Sequence, residues 1–204
     1  MYSSSTDADR ESFVWMVKNA VVPRPIAWVS TVDAAGRPNL APFSYFAPLV
    51  MDPPTVVFSV TGRTDTLANI EETSQFAITI AVAGQEELVA ATAAAVAADV
   101  DEAAQVGLAW EPGLRIAAPH PAGGGPSLEC ELVEIRAFRG SNLVFGEVLG
   151  VAVDDALLRT DGRLDQDVYH PVGRLGGATF TRVETWSRHP IPPADELLGA
   201  SAQE

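Results

Sequence analysis

Apolar and polar residues alternate with a period of two in several short stretches of this chain. In residues 26–32, odd- and even-numbered side chains fall on opposite faces, as they do in a β-strand. A polar gap with Gly36 follows, and glycine can adopt the positive φ that a tight turn needs. Residues 26–32 and 38–46 are therefore predicted to form an antiparallel hairpin. Asp52-Pro53-Pro54 interrupts the pattern before a third strand at residues 55–61.

Further strands are predicted at residues 76–82, 127–135, 143–153 and 178–183. The alternation in 127–135 changes phase near Leu132-Val133, which predicts a β-bulge there. Residues 143–153 are apolar on both faces, as expected of a central strand. The stretches 112–126 and 169–177, which are rich in glycine and proline, are predicted to be loops.

Helical signals lie between these strands. Thr64 or Asp65 is a candidate N-cap for a short helix that continues to about residue 73. The alanine-rich residues 85–98 predict a second helix, and residues 102–106 a third. Residues 13–17 are predicted to be a short helix or an edge strand.

The order of these elements indicates one mainly β domain. At least six strands follow one another without a strand–helix–strand repeat, which favours an antiparallel barrel of Greek-key or meander type with helical insertions. Residues 1–12 are predicted to be a flexible N-terminus, 13–186 the folded domain, and 187–204 an extended tail with a final turn at 194–198. A length of 204 residues fits one domain.

Composition excludes several classes of protein. Cys130 is the one cysteine of the chain, so no intrachain disulfide can form. The formal net charge of −14 would repel a phosphate backbone, which makes nucleic acid an unsuitable partner. The sequence shows neither a signal-peptide pattern nor a membrane-spanning apolar run, so a cytoplasmic location and no membrane association are expected.

No familiar catalytic motif is present. The sequence lacks a nucleophile elbow, a zinc-protease helix, a paired Cys-x-x-Cys and a phosphate-binding glycine fingerprint. Each of the three histidines, His120, His170 and His189, precedes a proline. Because a residue before proline is disfavoured in a helix, these histidines do not form a helical metal-ligand pair, and no metal is expected.

Hydroxyl and aromatic side chains gather in residues 28–46, where a flat ligand with a polar rim could bind. Arg63, Thr64 and Thr66 flank a predicted helix N-terminus, which favours a phosphate group. An ordinary capped helix with a surface arginine explains the same residues equally well. The glycine run at 123–125 lacks the rest of a phosphate loop and is better explained as a connector.

Six segments in chain order together resemble the flavin reductase-like family of FMN-binding split barrels. They are RPIAWVSTVDAAGRPNLAPFSYF, DPPTVVFSV, TDTLANIEET, SLECELVEI, GEVLGVAVDD and PVGRLGG. The resemblance implies a six-stranded antiparallel split β-barrel that works as a homodimer, with FMN near the subunit interface.

The resemblance also implies a set of FMN-binding residues. Ser30 and Thr31 would lie near the ring system or the ribityl chain, and Asn39, Ala41, Pro42, Ser44 and Tyr45 would border both. The residues expected around the phosphate are Ser59, Arg63, Asp65 and Thr66. Arg174 would approach the flavin, from the same or the partner subunit.

The family chemistry explains why no acid–base pair is recognisable. In hydride transfer between NAD(P)H and flavin, the cofactors hold the reacting atoms, so no general acid or base is assigned. The leading hypothesis is an FMN-dependent oxidoreductase that takes hydride from NAD(P)H and passes electrons to flavin or another small-molecule acceptor. A monooxygenase partner that consumes reduced flavin stays open.

Two alternatives remain. The first is an FMN-holding electron carrier without hydride chemistry of its own. The second is a barrel that has lost flavin and acts as a structural or small-ligand protein, because Thr64 stands where many relatives have lysine and Ala47-Pro48 where they often have asparagine.

Overall fold

The computed structural model describes residues 4, 6 and 9–194. Its four helices are α1 (Arg10–Ala20), α2 (Asp65–Thr73), α3 (Glu86–Ala91) and α4 (Glu102–Gln105), and a 3-10 turn covers Asp155–Leu157. The strands of the described residues are β1 (Arg24–Pro25), β2 (Ala27–Val32), β3 (Pro38–Phe43), β4 (Phe46–Met51), β5 (Pro54–Thr61), β6 (Gln75–Thr79), β7 (Trp110–Glu111), β8 (His120–Pro121), β9 (Ser127–Phe138), β10 (Ser141–Ala152), β11 (Val172–Arg174) and β12 (Phe180–Arg182).

Seven antiparallel strands form the main sheet, in the order β3-β2-β6-β9-β10-β5-β4. The two edge strands, β3 and β4, are consecutive in the chain and only Ser44 and Tyr45 separate them. Both ends of the sheet therefore meet at one place, and the sheet curls over its own core. No ladder pairs β3 with β4, so the barrel is open along this line.

Aromatic contacts inside the curled sheet show how tightly it curves. The Phe58 ring on β5 lies 5.2 Å from that of Phe43 on β3 and 5.5 Å from that of Phe76 on β6, although none of these strands are neighbours. Leu67 and Ile70 of α2 join the same buried cluster. This core supports one face of β2 and β3.

A second cluster covers the opposite face of β2. There Trp28 and Leu40 pack against Val89 and Ala103, which belong to the long connection between β6 and β9. The Trp28 ring donates a hydrogen bond from Nε1 to Thr92 Oγ1 at 2.9 Å. We call residues 92–105 of this connection the cover segment, because they lie over β2 and β3.

Most of the predicted pattern is confirmed. The hairpin forms as β2 and β3, the proline break precedes β5, and Thr64 caps α2. Val133 is the bulged residue: Phe145 pairs with Glu134 and Gly146 pairs with Leu132. β10 lies between β9 and β5, as the apolar character of both its faces predicted.

Other predictions are either not confirmed or wrong in their bounds. The main sheet has seven strands and is not closed, so a six-stranded barrel is not confirmed. Residues 38–46 divide into β3 and the start of β4, and residues 169–177 contain β11. The alanine-rich helix stops at Ala91, because the following alanines bring no large side chain to pack and helices in proteins depend on such packing.

The N-terminal end of the folded part also differs from the expectation. Residues 13–17 are helical, within an α1 that already begins at Arg10 inside the predicted flexible N-terminus. The turn predicted at 194–198 lies outside the described residues beyond position 194. Among the described helices, none has the length and apolar character needed to cross a membrane.

Candidate functional site

A cleft of about 390 Å³ lies between β3, the first turn of α2 and the cover segment. We call it the main cleft. Its lining includes six of the predicted flavin-binding residues: Asn39, Ala41, Pro42, Arg63, Asp65 and Thr66. The remaining lining residues are Phe43, Thr64, Thr92, Ala93, Ala94, Ala95, Val96 and Glu102.

The N-terminus of α2 opens into the main cleft. Thr64 has extended backbone geometry, and its Oγ1 accepts a hydrogen bond from the N–H of Leu67 at 3.2 Å. The N–H groups of Asp65 and Thr66 come before the intrahelical ladder can begin, and both residues line the cleft. Together with the helix dipole, these groups form an environment that favours an anion.

Arg63 is the basic residue of this lining. Its Nη1 lies 2.5 Å from Glu71 Oε2, and its side chain is 68% exposed. An exposed ion pair of this kind contributes only about 0–1 kcal/mol, so a stronger anion can displace Glu71 at little cost.

A buried polar network joins β3, α2 and α4 behind the cleft. In the amide orientation that satisfies its neighbours, Asn39 accepts from Thr66 Oγ1 at 3.0 Å and donates to Glu102 Oε1 at 3.3 Å. The backbone N–H of Leu40 donates to Glu102 Oε2 at 3.1 Å. Because β3 is an edge strand, this N–H would otherwise have no partner from a neighbouring strand.

Glu102 is a site residue that the sequence analysis missed. Burial raises the pKa of its carboxyl group, and the charges of Asp101 and Asp65 raise it further, against the lowering effect of backbone hydrogen bonds. No spacing in the sequence relates Glu102 to Asn39, since 62 positions separate α4 from β3 at the Leu40 contact.

A smaller cleft of about 150 Å³, the side cleft, meets the main cleft at Pro42 and Ala93. The predicted residues Ser44 and Arg174 lie here, with Ile26 and Val89. The Arg174 guanidinium lies over the Phe180 ring, 4.4 Å from its centre. The joined lining of the two clefts therefore runs from the N-terminus of α2, past the apolar Pro42, to a second cation, Arg174.

The four other predicted residues line neither cleft. Ser30 is buried and donates to the carbonyl of Pro119, while Thr31 accepts from Asn69 Nδ2 at 3.0 Å. Their hydroxyl groups thus already have partners within the protein. Tyr45 is exposed, and Ser59 lies on β5, where its backbone N–H donates to the carbonyl of Tyr45 at 2.9 Å.

The alanines of the cover segment were also missed as site residues. Their small side chains allow the backbone to approach the cleft closely, but alanine by itself carries no chemical signal. Within residues 4, 6 and 9–194, no group of three or more His, Cys, Asp or Glu side chains is arranged to hold a metal ion.

Comparison with known proteins identifies the family. A model of the flavin reductase like domain matches residues 19–172. The chain belongs to this family. The resemblance seen in the sequence is thereby confirmed, and the main cleft is the candidate site of a flavin-binding family.

Solved structures related to this flavin reductase-like protein share its fold. The 2-nitrobenzoate 2-nitroreductase NbaA of Pseudomonas fluorescens is 29% identical, with a TM-score of 0.86 over 95% of this chain and 97% of the other. A split barrel domain protein from Shewanella frigidimarina is 23% identical, with a TM-score of 0.84 over 94% and 100%. An FMN-binding protein from Thermus thermophilus is 22% identical, with a TM-score of 0.77 over 93% and 100%.

Proposed function

We propose that this flavin reductase-like protein binds FMN in the main cleft and takes hydride from NAD(P)H, passing electrons to flavin or another small acceptor. The observation that carries the proposal is the α2 N-terminus, which opens beside Arg63 into a cleft that continues along the apolar residues of β3. A flavin mononucleotide has the same order of parts: an anion, a polar chain and a flat ring.

The residues present fit this cofactor. A cleft of about 390 Å³ has the size of a typical small-molecule site. The first turn of α2 suits the phosphate, and Arg63 can turn from Glu71 toward it. Ala41, Pro42 and the alanines at 93–95 give an apolar surface for the ring.

Bound flavin would supply the hydride-accepting chemistry. The contribution of the chain is then to bind, orient and shield. The Asn39–Thr66–Glu102 network fixes β3 against α2, which keeps the two walls of the cleft in register. The cover segment, tied down at Thr92 and at Glu102, excludes water from one side.

The proposed working form is a homodimer. Helix α1 has no buried residue, and its Trp15 side chain is 60% exposed. Leu49, Val50 and Met51 on edge strand β4 are also exposed, as is Trp186. A second copy of the chain would cover such apolar surface. A dimer mass in light scattering is expected, and a monomer at working concentration would contradict this part of the proposal.

The first experiment is to titrate the purified protein with FMN and to record its visible absorption spectrum. Arg63→Ala should weaken FMN affinity about tenfold to hundredfold, the range for loss of one charge-assisted hydrogen bond. Arg136→Ala is the matched control, because Arg136 is also an exposed arginine in a surface ion pair, here with Glu134. Equal affinity in both variants would refute the role of the α2 terminus.

Turnover with NADH and NADPH then separates the two flavin-dependent hypotheses. Oxidation of either nucleotide by the FMN-loaded protein supports the oxidoreductase. An FMN-loaded protein that oxidises neither nucleotide would instead be an electron carrier, while failure to bind FMN would remove both hypotheses.

A further inference from the structure

Basic side chains in this acidic chain are mostly exposed. Within the described residues, six arginines make ion pairs with carboxylates, and each of these arginine side chains is at least 55% exposed. Arg24 and Arg174 differ from all of them. Both are half-buried, and neither has a carboxylate within ion-pair distance among the described residues.

Arg24 has a structural explanation. Its guanidinium donates to the carbonyl groups of Lys18 and Val21 at the end of α1, and to that of Leu175 at 2.7 Å. These bonds fix the position of the side chain, but carbonyl groups do not neutralise its charge. Its Nε is buried without a partner.

Arg174 has no comparable set of partners. It faces Arg24 across the β1–β11 ladder, and its one described contact partner besides Arg24 is the Phe180 ring. Burial lowers the pKa of Arg174, and the positive charge of Arg24 lowers it further. A guanidinium that is partly buried and has no hydrogen-bond acceptor is unfavourable unless another group supplies an acceptor.

The position of Arg174 indicates which kind of group supplies this acceptor. The side chain lines the side cleft beside Ser44, and this cleft meets the main cleft at Pro42 and Ala93. The phosphate environment at Arg63 belongs to the main cleft, and Arg63 does not line the side cleft. A flavin whose phosphate lies at α2 would therefore leave Arg174 to a second anion.

We propose that Arg174, backed by the fixed charge of Arg24, binds an anionic group of the co-substrate. The inference rests on the proposed function, because it assigns the main cleft to flavin. The shared chemistry is a pair of oxygens that a guanidinium can bind in parallel, as in a carboxylate or a phosphate. The carboxylate would come from an organic acid acceptor, and the phosphate from the nicotinamide nucleotide.

The test uses FMN-loaded protein and three probes: benzoate, inorganic pyrophosphate and uncharged benzamide. Binding is followed through the visible spectrum of the flavin and by calorimetry. At least one of the two anions should bind the wild type and lose tenfold or more affinity in Arg174→Gln, with partial recovery in Arg174→Lys. Benzamide affinity should not change. A loss confined to benzoate indicates a carboxylate source, and a loss confined to pyrophosphate indicates the nucleotide.

Three results would overturn the inference. They are anions that bind wild type and Arg174→Gln equally, anions that do not bind the wild type, and loss of FMN itself from Arg174→Gln, which would make Arg174 a flavin contact. Circular dichroism of both variants confirms that they are folded. If the wild type takes up no FMN, the proposed function fails separately, and calorimetry with the flavin-free protein still tests anion binding at Arg174.

Discussion

The buried carboxylate of Glu129 gives the sharpest test of how this fold is held together. Glu129 lies on β9 and is 2% exposed. One of its oxygens accepts from the N–H of Leu114 at 2.7 Å and lies 2.8 Å from His120 Nε2, and the other accepts from the N–H of Arg115 at 2.8 Å. One side chain thus fastens the loop before β8 to the sheet.

Glu129→Ala removes all three acceptor contacts at once. A hydrogen bond to a charged group contributes about 1.5–3 kcal/mol, and three partners lose a carboxylate acceptor here. Leu114 and Arg115 are exposed residues whose N–H groups can bind water instead. We therefore expect the free energy of unfolding to fall by about 3 kcal/mol, mainly from the lost contact with the buried His120 ring.

Urea denaturation at pH 7, followed by tryptophan fluorescence, measures this loss. The control is Glu134→Ala on the same strand, whose carboxylate makes an exposed pair with Arg136 and should change stability by no more than about 1 kcal/mol. If Glu129→Ala were no more destabilised than Glu134→Ala, the contacts of the Glu129 carboxylate would not stabilise the fold.

The pH dependence of the same residue has a definite sign. Burial acts to raise the pKa of Glu129, but the hydrogen bonds from Leu114, His120 and Arg115 outweigh it, so the pKa lies below its usual value of 4.5. The stabilisation is present above that value and is lost as the pH falls through the lowered pKa. Between pH 7 and pH 3, Glu129→Ala should therefore lose less stability than the wild type.

Three further predictions concern the core and the cleft. Gly146→Ala would place a Cβ 2.3 Å from Phe76 Cζ and should cost about 1–3 kcal/mol in urea denaturation, whereas Gly150→Ala, with its nearest atom 3.9 Å away, should cost less. Burial raises the pKa of the Cys130 thiol to about 12, so a thiol reagent at pH 8 should label it only after denaturation, and rapid labelling of folded protein would contradict this. The pKa of Glu102 is raised in the fold, so the stability that this carboxyl group contributes is present below pH 4.5 and is lost as the pH rises. Glu102→Gln should therefore gain stability relative to the wild type from pH 4 to pH 8. A constant difference in stability between the two proteins would contradict the raised pKa.

Local chemistry explains which elements could be predicted from the sequence. The β2–β3 hairpin, the Thr64 cap and the Val133 bulge each depend on a few neighbouring residues, and all three are found. The alanine-rich stretch was predicted too long as a helix, because propensity describes a residue in isolation and does not describe what is available to pack against it.

The candidate site divides in the same way. Asn39 and Thr66 lie in motifs that resemble the family, Arg63 directly precedes one of them, and all three line the main cleft. Ser30 and Thr31 lie in an equally good motif, but in the fold the Ser30 hydroxyl group is hydrogen-bonded to the carbonyl of Pro119 and the Thr31 hydroxyl group to the Asn69 amide. A sequence motif shows which side chains are present but does not show which hydrogen-bond partners they have in the folded protein.

The sequence by itself determined the strand pattern, the family and the helix terminus that favours an anion, since each is encoded in residues close together along the chain. Only the tertiary structure brought Glu102 to Asn39 and placed Arg174 beside Arg24, where neither arginine has a carboxylate within ion-pair distance in the part of the chain that the structure describes. These contacts join segments far apart in the chain. Their geometry follows from how the sheet curls and where the cover segment lies, and no local pattern of residues specifies either.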